Sequence, residues 1–365
     1  MIRELIQSVD AVEITNVRLF ERVLRLKTPL VTSRAVIEEQ CSLLVELTGI
    51  SGAVEVSGFG EAAALADWGP ERPRDARFDG LRLRDAVTHG AVNTGADAMA
   101  LVRPASLRFA VESALFDIVA RAAGKPVRRM LDPDAPNSVL LNGVVGIAAP
   151  AAAAKRAADL VRRGFTTLKL KVGDRDDVER VRAVRAAVGD GARLRIDANG
   201  AWDADEALRR LQAMAPFDVD LVEQPCRDVG ALAAVARCSP ILVAADESCV
   251  DLDAVSTLVG DRLVGAIVLK PALLGAWRDI IPLVDAAHRN DVGVIFTAAI
   301  DGIVGRWAVA QAAAALLDEN VACGFATGSQ LEGDLLLEEV IRDGRLYLGS
   351  GSGLGLGPHP TADPL

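Results

Sequence analysis

Five side chains able to move protons or hold a cation recur at nearly constant intervals. Lys171, Asp197, Glu223, Asp246 and Lys270 lie 26, 26, 23 and 24 residues apart. One strand-plus-helix unit of a β/α barrel takes roughly 25–30 residues, since about 250 residues build eight such units. Each of the five ends a short apolar run, so each falls at the same point of its unit, the C-terminal end of a strand. That is where such barrels place their chemistry. In Leu168-Lys169-Leu170-Lys171 the two lysines share one face of an extended chain, and in Leu194-Arg195-Ile196-Asp197 the same holds for Arg195 and Asp197. With the aliphatics packed outward, the charged groups converge in the barrel mouth. Burial there is costly unless they neutralise one another or a metal.

Three carboxylates on three adjacent strands make a hard, all-oxygen site suited to Mg²⁺ or Mn²⁺. The three histidines, His89, His288 and His359, end no strand, which argues against zinc. A lysine desolvated near a cation has a depressed pKa and can act as a base, while the cation stabilises the charge left when a proton α to a carboxylate departs. Lysine is scarce, only Lys27, Lys125, Lys155, Lys169, Lys171 and Lys270, and arginine supplies the other basic side chains. Lysine, unlike arginine, can lose its proton.

Each residue alone has an ordinary reading. A strand-end aspartate usually caps the next helix, although Asp203 is the better-placed cap after Asp197. A lysine pair at period two is usually a solvated strand face, and Glu223 before Gln224-Pro225 could sit in a surface loop. Cys226 and Cys249 read as small packing residues. The common register is what these readings leave unexplained.

The elements that would position these residues are legible in outline. Up to about residue 60 the chain reads as a β-meander, with runs at 12–14, 18–26 and 41–47, followed by helices at 81–90 and 106–123. Strand candidates then fall at 139–145, 166–172, 194–197, 219–223, 241–246, 266–270, 292–297 and 321–325. Helices between them begin near Ala151, Asp176, Asp203, Val229, Asp251, Ala276 and Ile303. Eight strands alternating with seven helices predict a closed parallel barrel. An open doubly wound sheet is the alternative, but no GxGxxG opens a helix. The glycine-rich tail from Gly349 to Gly355 reads as an extended return to the first domain.

The 365 residues are 51% hydrophobic and 25% charged, with a formal net charge of −10. That balance suits a globular protein and argues against nucleic acid or an anionic membrane as partner. No apolar run is long enough to span a bilayer and no signal-peptide core opens the chain. The odd, irregularly spaced cysteines 41, 226, 238, 249 and 323 predict reduced, mostly buried thiols in a cytoplasm.

With these residues in view, the chain resembles the enolase superfamily, in the subgroup of muconate lactonizing enzymes, dipeptide epimerases and o-succinylbenzoate synthases. The matching segments are Leu168-Lys169-Leu170-Lys171, Ile196-Asp197-Ala198-Asn199-Gly200-Ala201-Trp202, Val222-Glu223-Gln224-Pro225, Ala245-Asp246-Glu247-Ser248 and Val268-Leu269-Lys270-Pro271. Gly58-Phe59-Gly60-Glu61-Ala62-Ala63 resembles the capping-domain loop of the subgroup. The resemblance spans nearly the whole chain and implies an α/β fold. This is a modified TIM-type (β/α)7β barrel with an α+β capping domain formed by the N-terminal region and the C-terminal tail. The expected divisions are 1–130, 135–328 and 329–365.

The resemblance further implies that Asp197, Glu223 and Asp246 bind Mg²⁺ or Mn²⁺ and that Lys171 and Lys270 are the acid/base positions. Lys169 would hold the substrate carboxylate or tune Lys171. Substrate contacts are expected from Arg195, Asn199, Thr297, Gly324 and Thr327. The substrate would be a small carboxylate, and a homo-oligomer is compatible with the family. The segments 305–311 and 323–328 are similar to o-succinylbenzoate synthases, and the Asp-x-Asp usual in dipeptide epimerases is absent from the eighth strand. The seventh strand departs, reading Thr297-Ala298-Ala299-Ile300-Asp301-Gly302 where relatives often carry serines and a glutamate. The implied activity is a dehydratase of menaquinone biosynthesis. Alternatives are an N-acylamino acid racemase or dipeptide epimerase on the same residues, a muconate-type cycloisomerase, and a catalytically silent barrel.

Overall fold

The computed structural model describes residues 2–31, 36–65, 68, 71–334 and 341–356. Of the expected C-terminal segment, residues 335–340 and 357–365, with His359, lie outside the described residues.

Helix α1 (Ile2–Asp10) buries Leu5 and Val9, and the long strands β1 (Glu13–Val31), β2 (Val36–Ser51) and β3 (Val54–Ala62) follow as an antiparallel meander. The helix expected from residue 81 starts earlier, as α2 (Pro73–Thr88), because Pro73 presets the first turn and Asp75 accepts the Arg72 N–H. After α3 (Gly95–Leu101) comes α4 (Ala105–Ala122), buried around nearly its whole circumference. A helix apolar on every side is an internal one. On one side α4 lies on β2 and β3 so closely that a Cβ at Gly60 would overlap the Ala110 carbonyl.

After α5 (Val127–Leu131), the stretch expected to be one strand divides into β4 (Ser138–Leu140) and β5 (Asn142–Val145). The parallel strands β6 (Thr167–Lys171), β7 (Arg193–Asp197), β8 (Val219–Glu223), β9 (Leu242–Ala245), β10 (Ala266–Leu269) and β11 (Gly293–Phe296) continue from β5 in a seven-stranded sheet, in chain order. Between them run α6 (Pro150–Arg162), α7 (Asp177–Val188), α8 (Ala204–Met214), α9 (Val229–Cys238), α10 (Leu252–Gly260), α11 (Pro271–Leu274) and α12 (Trp277–Arg289). Helix α13 (Ile303–Leu316) follows β11.

The expected eighth strand, 321–325, forms no continuous strand but still closes the ring. Cys323 bridges Leu141 and Gly324 bridges Thr297, both in parallel. The fold is thus a modified TIM-type barrel with a capping domain. The C-terminal tail returns in three places. Strand β12 (Leu331–Glu332) pairs with β1, and β13 (Ile341–Arg342) and β14 (Arg345–Tyr347) form a hairpin on β4. Gly353 exchanges backbone hydrogen bonds with Lys125 and Val127.

Helix α4 joins cap and barrel through polar groups as well as packing. Glu112 accepts from Arg278 of α12, and Ser113 accepts from Trp277 Nε1 at 3.0 Å. Asp117 accepts from Phe59 N, Leu354 N and Arg121. Among the described residues, no helix is long and apolar enough to cross a membrane.

Candidate active site

The acids that cap helices are not the strand-end acids. Asp203, Asp228 and Asp251 accept the N–H groups that open α8, α9 and α10. Asp197, Glu223 and Asp246 are left facing the barrel mouth. Parallel pairing sets Lys171 beside Asp197 and Asp197 beside Glu223. All six of Lys169, Lys171, Asp197, Glu223, Asp246 and Lys270 line one cavity of about 950 Å³ at the C-terminal ends of the strands.

The charges meet closely. Lys169 Nζ lies 2.8 Å from Asp197 Oδ2 and 2.5 Å from Glu223 Oε1. Lys171 Nζ donates to Asp197 Oδ2 at 2.6 Å and to Asn199 Oδ1 at 2.8 Å. Lys270 pairs with Asp246. The lysine pair is therefore no solvated face, and Glu223, 2% exposed, is no surface loop. Burial alone would lower the pKa of Lys169, but Asp197, Glu223 and Asp246 outweigh it and raise it, so this ammonium stays charged. Burial likewise works against the Asp197 carboxylate, yet Lys169 and Lys171 hold it below the usual range. At Glu223 burial and then the charge of Asp197 win over Lys169 and push it up.

Two further buried residues, unassigned by sequence, bond to the segments that carry the site. Gln224 is buried, with a φ of 39°, and its Oε1 accepts from Asp246 N at 2.8 Å and Ser248 N at 3.2 Å. Its Nε2 donates to Cys226 O and Ser248 Oγ, so it splints the turns after β8 and β9. Glu247 takes a hydrogen bond from Asn199 Nδ2 at 2.8 Å on Oε1, while its buried Oε2 has no hydrogen-bond partner. Burial and then Asp246 raise its pKa.

Among the described residues, no three side chains of histidine, cysteine, aspartate or glutamate are gathered tightly enough to hold an ion as they stand. The carboxylates are instead drawn to the lysines. The donor chemistry nevertheless fits a hard divalent cation. The set is all oxygen and lies at the ends of successive strands, and beside it Glu247 Oε2 is a buried carboxylate oxygen without a hydrogen-bond partner.

The five expected substrate contacts all line the cavity, with different engagements. Asn199, at φ 47°, bridges Lys171 and Glu247. Arg195 lies deeper, donating to Ala322 O of the closing segment at 2.7 Å. Thr297 Oγ1 donates to Gly324 O at 3.0 Å, so these two hold each other. Thr327 keeps a buried Oγ1 without a partner. Cys226, Cys249 and Cys323 are buried, and burial raises their thiol pKa values, which suits packing rather than attack.

The departing loop after β11 carries its own chemistry. Ile300, β-branched, takes φ 65°, a conformation few residues of its kind adopt. Asp301 accepts from Ala299 N at 3.0 Å on Oδ2, while its buried Oδ1 accepts nothing. Glu61 of the cap reaches the same place and accepts from Gly302 N and Gly305 N at the start of α13. Burial above all, aided by Glu61 and opposed by Ala299 N–H and Arg306, pushes Asp301 up to about 7. The folded protein therefore holds a proton that the unfolded chain has lost between about pH 4 and 7, and stability falls as pH rises through that window. Between pH 5 and pH 8, Asp301→Asn is expected to gain roughly 2 kcal/mol or more in stability relative to the parent. Urea midpoints at the two pH values measure this. An unchanged pH slope would show that Asp301 titrates normally.

A ring of parallel strands under a cap, with lysines and carboxylates converging at the strand ends, defines an enzyme of the capped-barrel class. The family model described as "Enolase C-terminal domain-like" matches residues 152–362. The chain belongs to the enolase superfamily. It is 38% identical over 197 residues to an o-succinylbenzoate synthase of Thermobifida fusca, a match covering 52% of this chain and 61% of that protein. It is 32% identical over 275 residues to a hydrophobic dipeptide epimerase of Enterococcus faecalis, covering 71% and 75%. A solved dipeptide epimerase from Enterococcus faecalis V583, complexed with Mg and the dipeptide L-Leu-L-Tyr, superposes with TM-score 0.81 at 25% identity, over 94% of this chain and 99% of that one.

Proposed function

We propose that the chain is a divalent-cation-dependent dehydratase of the o-succinylbenzoate synthase type, acting on a small cyclic carboxylate in the cytoplasm. One observation carries the choice among reactions. Of the acids among the described lining residues, the one outside the Asp197, Glu223, Asp246 set is Asp334, and it is paired to both Arg22 and Arg306. No unspent carboxylate among the described lining residues waits for a substrate ammonium. Part of the cavity wall is apolar, built from Leu26, Leu65, Trp68, Ile300 and Leu331. Such a cavity suits a ring with a carboxylate better than a dipeptide.

Asp197, Glu223 and Asp246 would hold Mg²⁺, which supplies positive charge facing the substrate carboxylate. Lys171, the more exposed of the lysine pair, takes the α-proton and then delivers it to the departing hydroxyl on the same face, so that water leaves. Lys169 stays charged and faces the carboxylate as negative charge builds there. Lys270 is a second fixed cation.

A second reading has one observation behind it. Strands β6 and β10 stand four positions apart in a ring of eight, which sets Lys171 and Lys270 on opposite walls. That is the arrangement a two-base racemase or epimerase needs. The two readings separate on one preparation with Mg²⁺. Dehydration of 2-succinyl-6-hydroxy-2,4-cyclohexadiene-1-carboxylate is expected to exceed deuterium exchange into N-acylamino acids and dipeptides by at least about 100-fold in kcat/KM, the quantity that reports discrimination. Rapid exchange without dehydration would establish the racemase instead.

A further inference from the structure

Lys270 sits at the end of β10, where the chain turns into α11. One side of its ammonium is held by Asp246. Nζ also lies 4.2 Å from the centre of the Trp68 ring, within the range of a cation–π contact. Trp68 follows β3 and therefore belongs to the cap. It is partly buried against the apolar cluster of Leu24, Leu26, Leu65, Ile300 and Leu331, which joins β1 and β12 to the loop after β11. Trp68 and Lys270 both line the catalytic cavity.

A lysine ammonium rides on a flexible four-carbon stem. A single carboxylate partner leaves it free to pivot within a large cavity. An indole face as a second contact limits that freedom without neutralising the charge. We propose that Trp68 is a positioning residue: the cap uses its indole face to fix the Lys270 ammonium by a cation–π contact, so that the charge points at bound substrate. The contact stands on geometry alone. Its effect on turnover rests on the dehydratase reading above.

Two variants separate aromatic character from bulk. Trp68→Phe keeps a π face, and Trp68→Leu keeps an apolar side chain without one. The chain has six lysines, so ¹³C-lysine labelling gives few Cε–Hε signals, and Lys270→Arg identifies the one that matters. In Mg²⁺ buffer the Lys270 signal is expected upfield of the others by ring current. It should keep part of that shift in Trp68→Phe and lose it in Trp68→Leu. In the dehydration assay kcat should fall roughly tenfold in Trp68→Leu, stay within about threefold in Trp68→Phe, and change more than KM does. A Lys270 signal at the same position in Trp68→Leu and parent overturns the contact. Equal losses of kcat in the two variants overturn the positioning role. If the shift behaves as expected and no dehydration is detected in the parent, the contact stands and the dehydratase reading fails.

Discussion

Lys171→Arg is expected to lower kcat for dehydration by about 1,000-fold while leaving Mg²⁺ affinity within a few-fold of the parent, the range a lost general base commands. Lys171 ends β6 with its ammonium 2.6 Å from Asp197 Oδ2 and 2.8 Å from Asn199 Oδ1, two acceptors that a guanidinium can also satisfy. The fold and the charge of the site are therefore preserved. What changes is the capacity to give up a proton, which arginine lacks at any working pH. Lys169 cannot take over the task, because three carboxylates hold its proton in place. Steady-state kinetics at saturating Mg²⁺, beside calorimetric titration of the metal, measures both halves. Turnover within tenfold of the parent would remove Lys171 from the base role.

Glu223→Gln is expected to cost at least about 1,000-fold in kcat and 10- to 100-fold in Mg²⁺ affinity, and yet not to destabilise the fold in chelator. Glu223 is the middle carboxylate of the three, 2% exposed, and burial together with Asp197 pushes its pKa up. A raised carboxylate pKa means that the ionised form costs stability, and the cost grows as pH rises beyond the ordinary glutamate range. Glutamine keeps an Oε1 acceptor for Lys169 and removes the charge. Thermal melts at pH 8 in chelator should thus place the variant level with the parent or above it. Such opposition between stability and function is expected where charges are gathered for a ligand. A variant that melts well below the parent in chelator, or one that keeps its turnover, would contradict the assignment.

The legible part of the site was its register. Strand-end residues recurring at a fixed interval carry information that survives without knowledge of any contact, because one barrel unit has one length. Side-chain alternation likewise gave the inward face of Lys169, Lys171, Arg195 and Asp197. Depth along the barrel axis is not in that signal. Arg195 shares the correct face but lies a level lower, bonded to the Ala322 carbonyl. Gln224 and Trp68 were missed for a related reason. Each acts through partners supplied by other elements, and neither belongs to a periodic run. Asn199 was named as a substrate contact, but its bridge between Lys171 and Glu247 appears only when three strands are adjacent.

In the fold, α1 is legible in the sequence. Ile2, Leu5, Ile6 and Val9 follow helical spacing, and Leu5 and Val9 are buried. The separation of β4 from β5 was not legible, since it depends on β14, more than two hundred residues away, pairing with β4 in place of a barrel neighbour. The eighth strand failed as a continuous strand because its segment closes the seam through single bridges at Cys323 and Gly324.

The most direct test of a cation-dependent, lysine-driven elimination is the initial rate of aromatic product formation from 2-succinyl-6-hydroxy-2,4-cyclohexadiene-1-carboxylate, followed in chelator-stripped protein as Mg²⁺ is added back. Turnover should be absent in chelator and should rise to a plateau with added Mg²⁺. Undiminished turnover in chelator would contradict the cation requirement, and no product at any Mg²⁺ concentration would contradict the reaction.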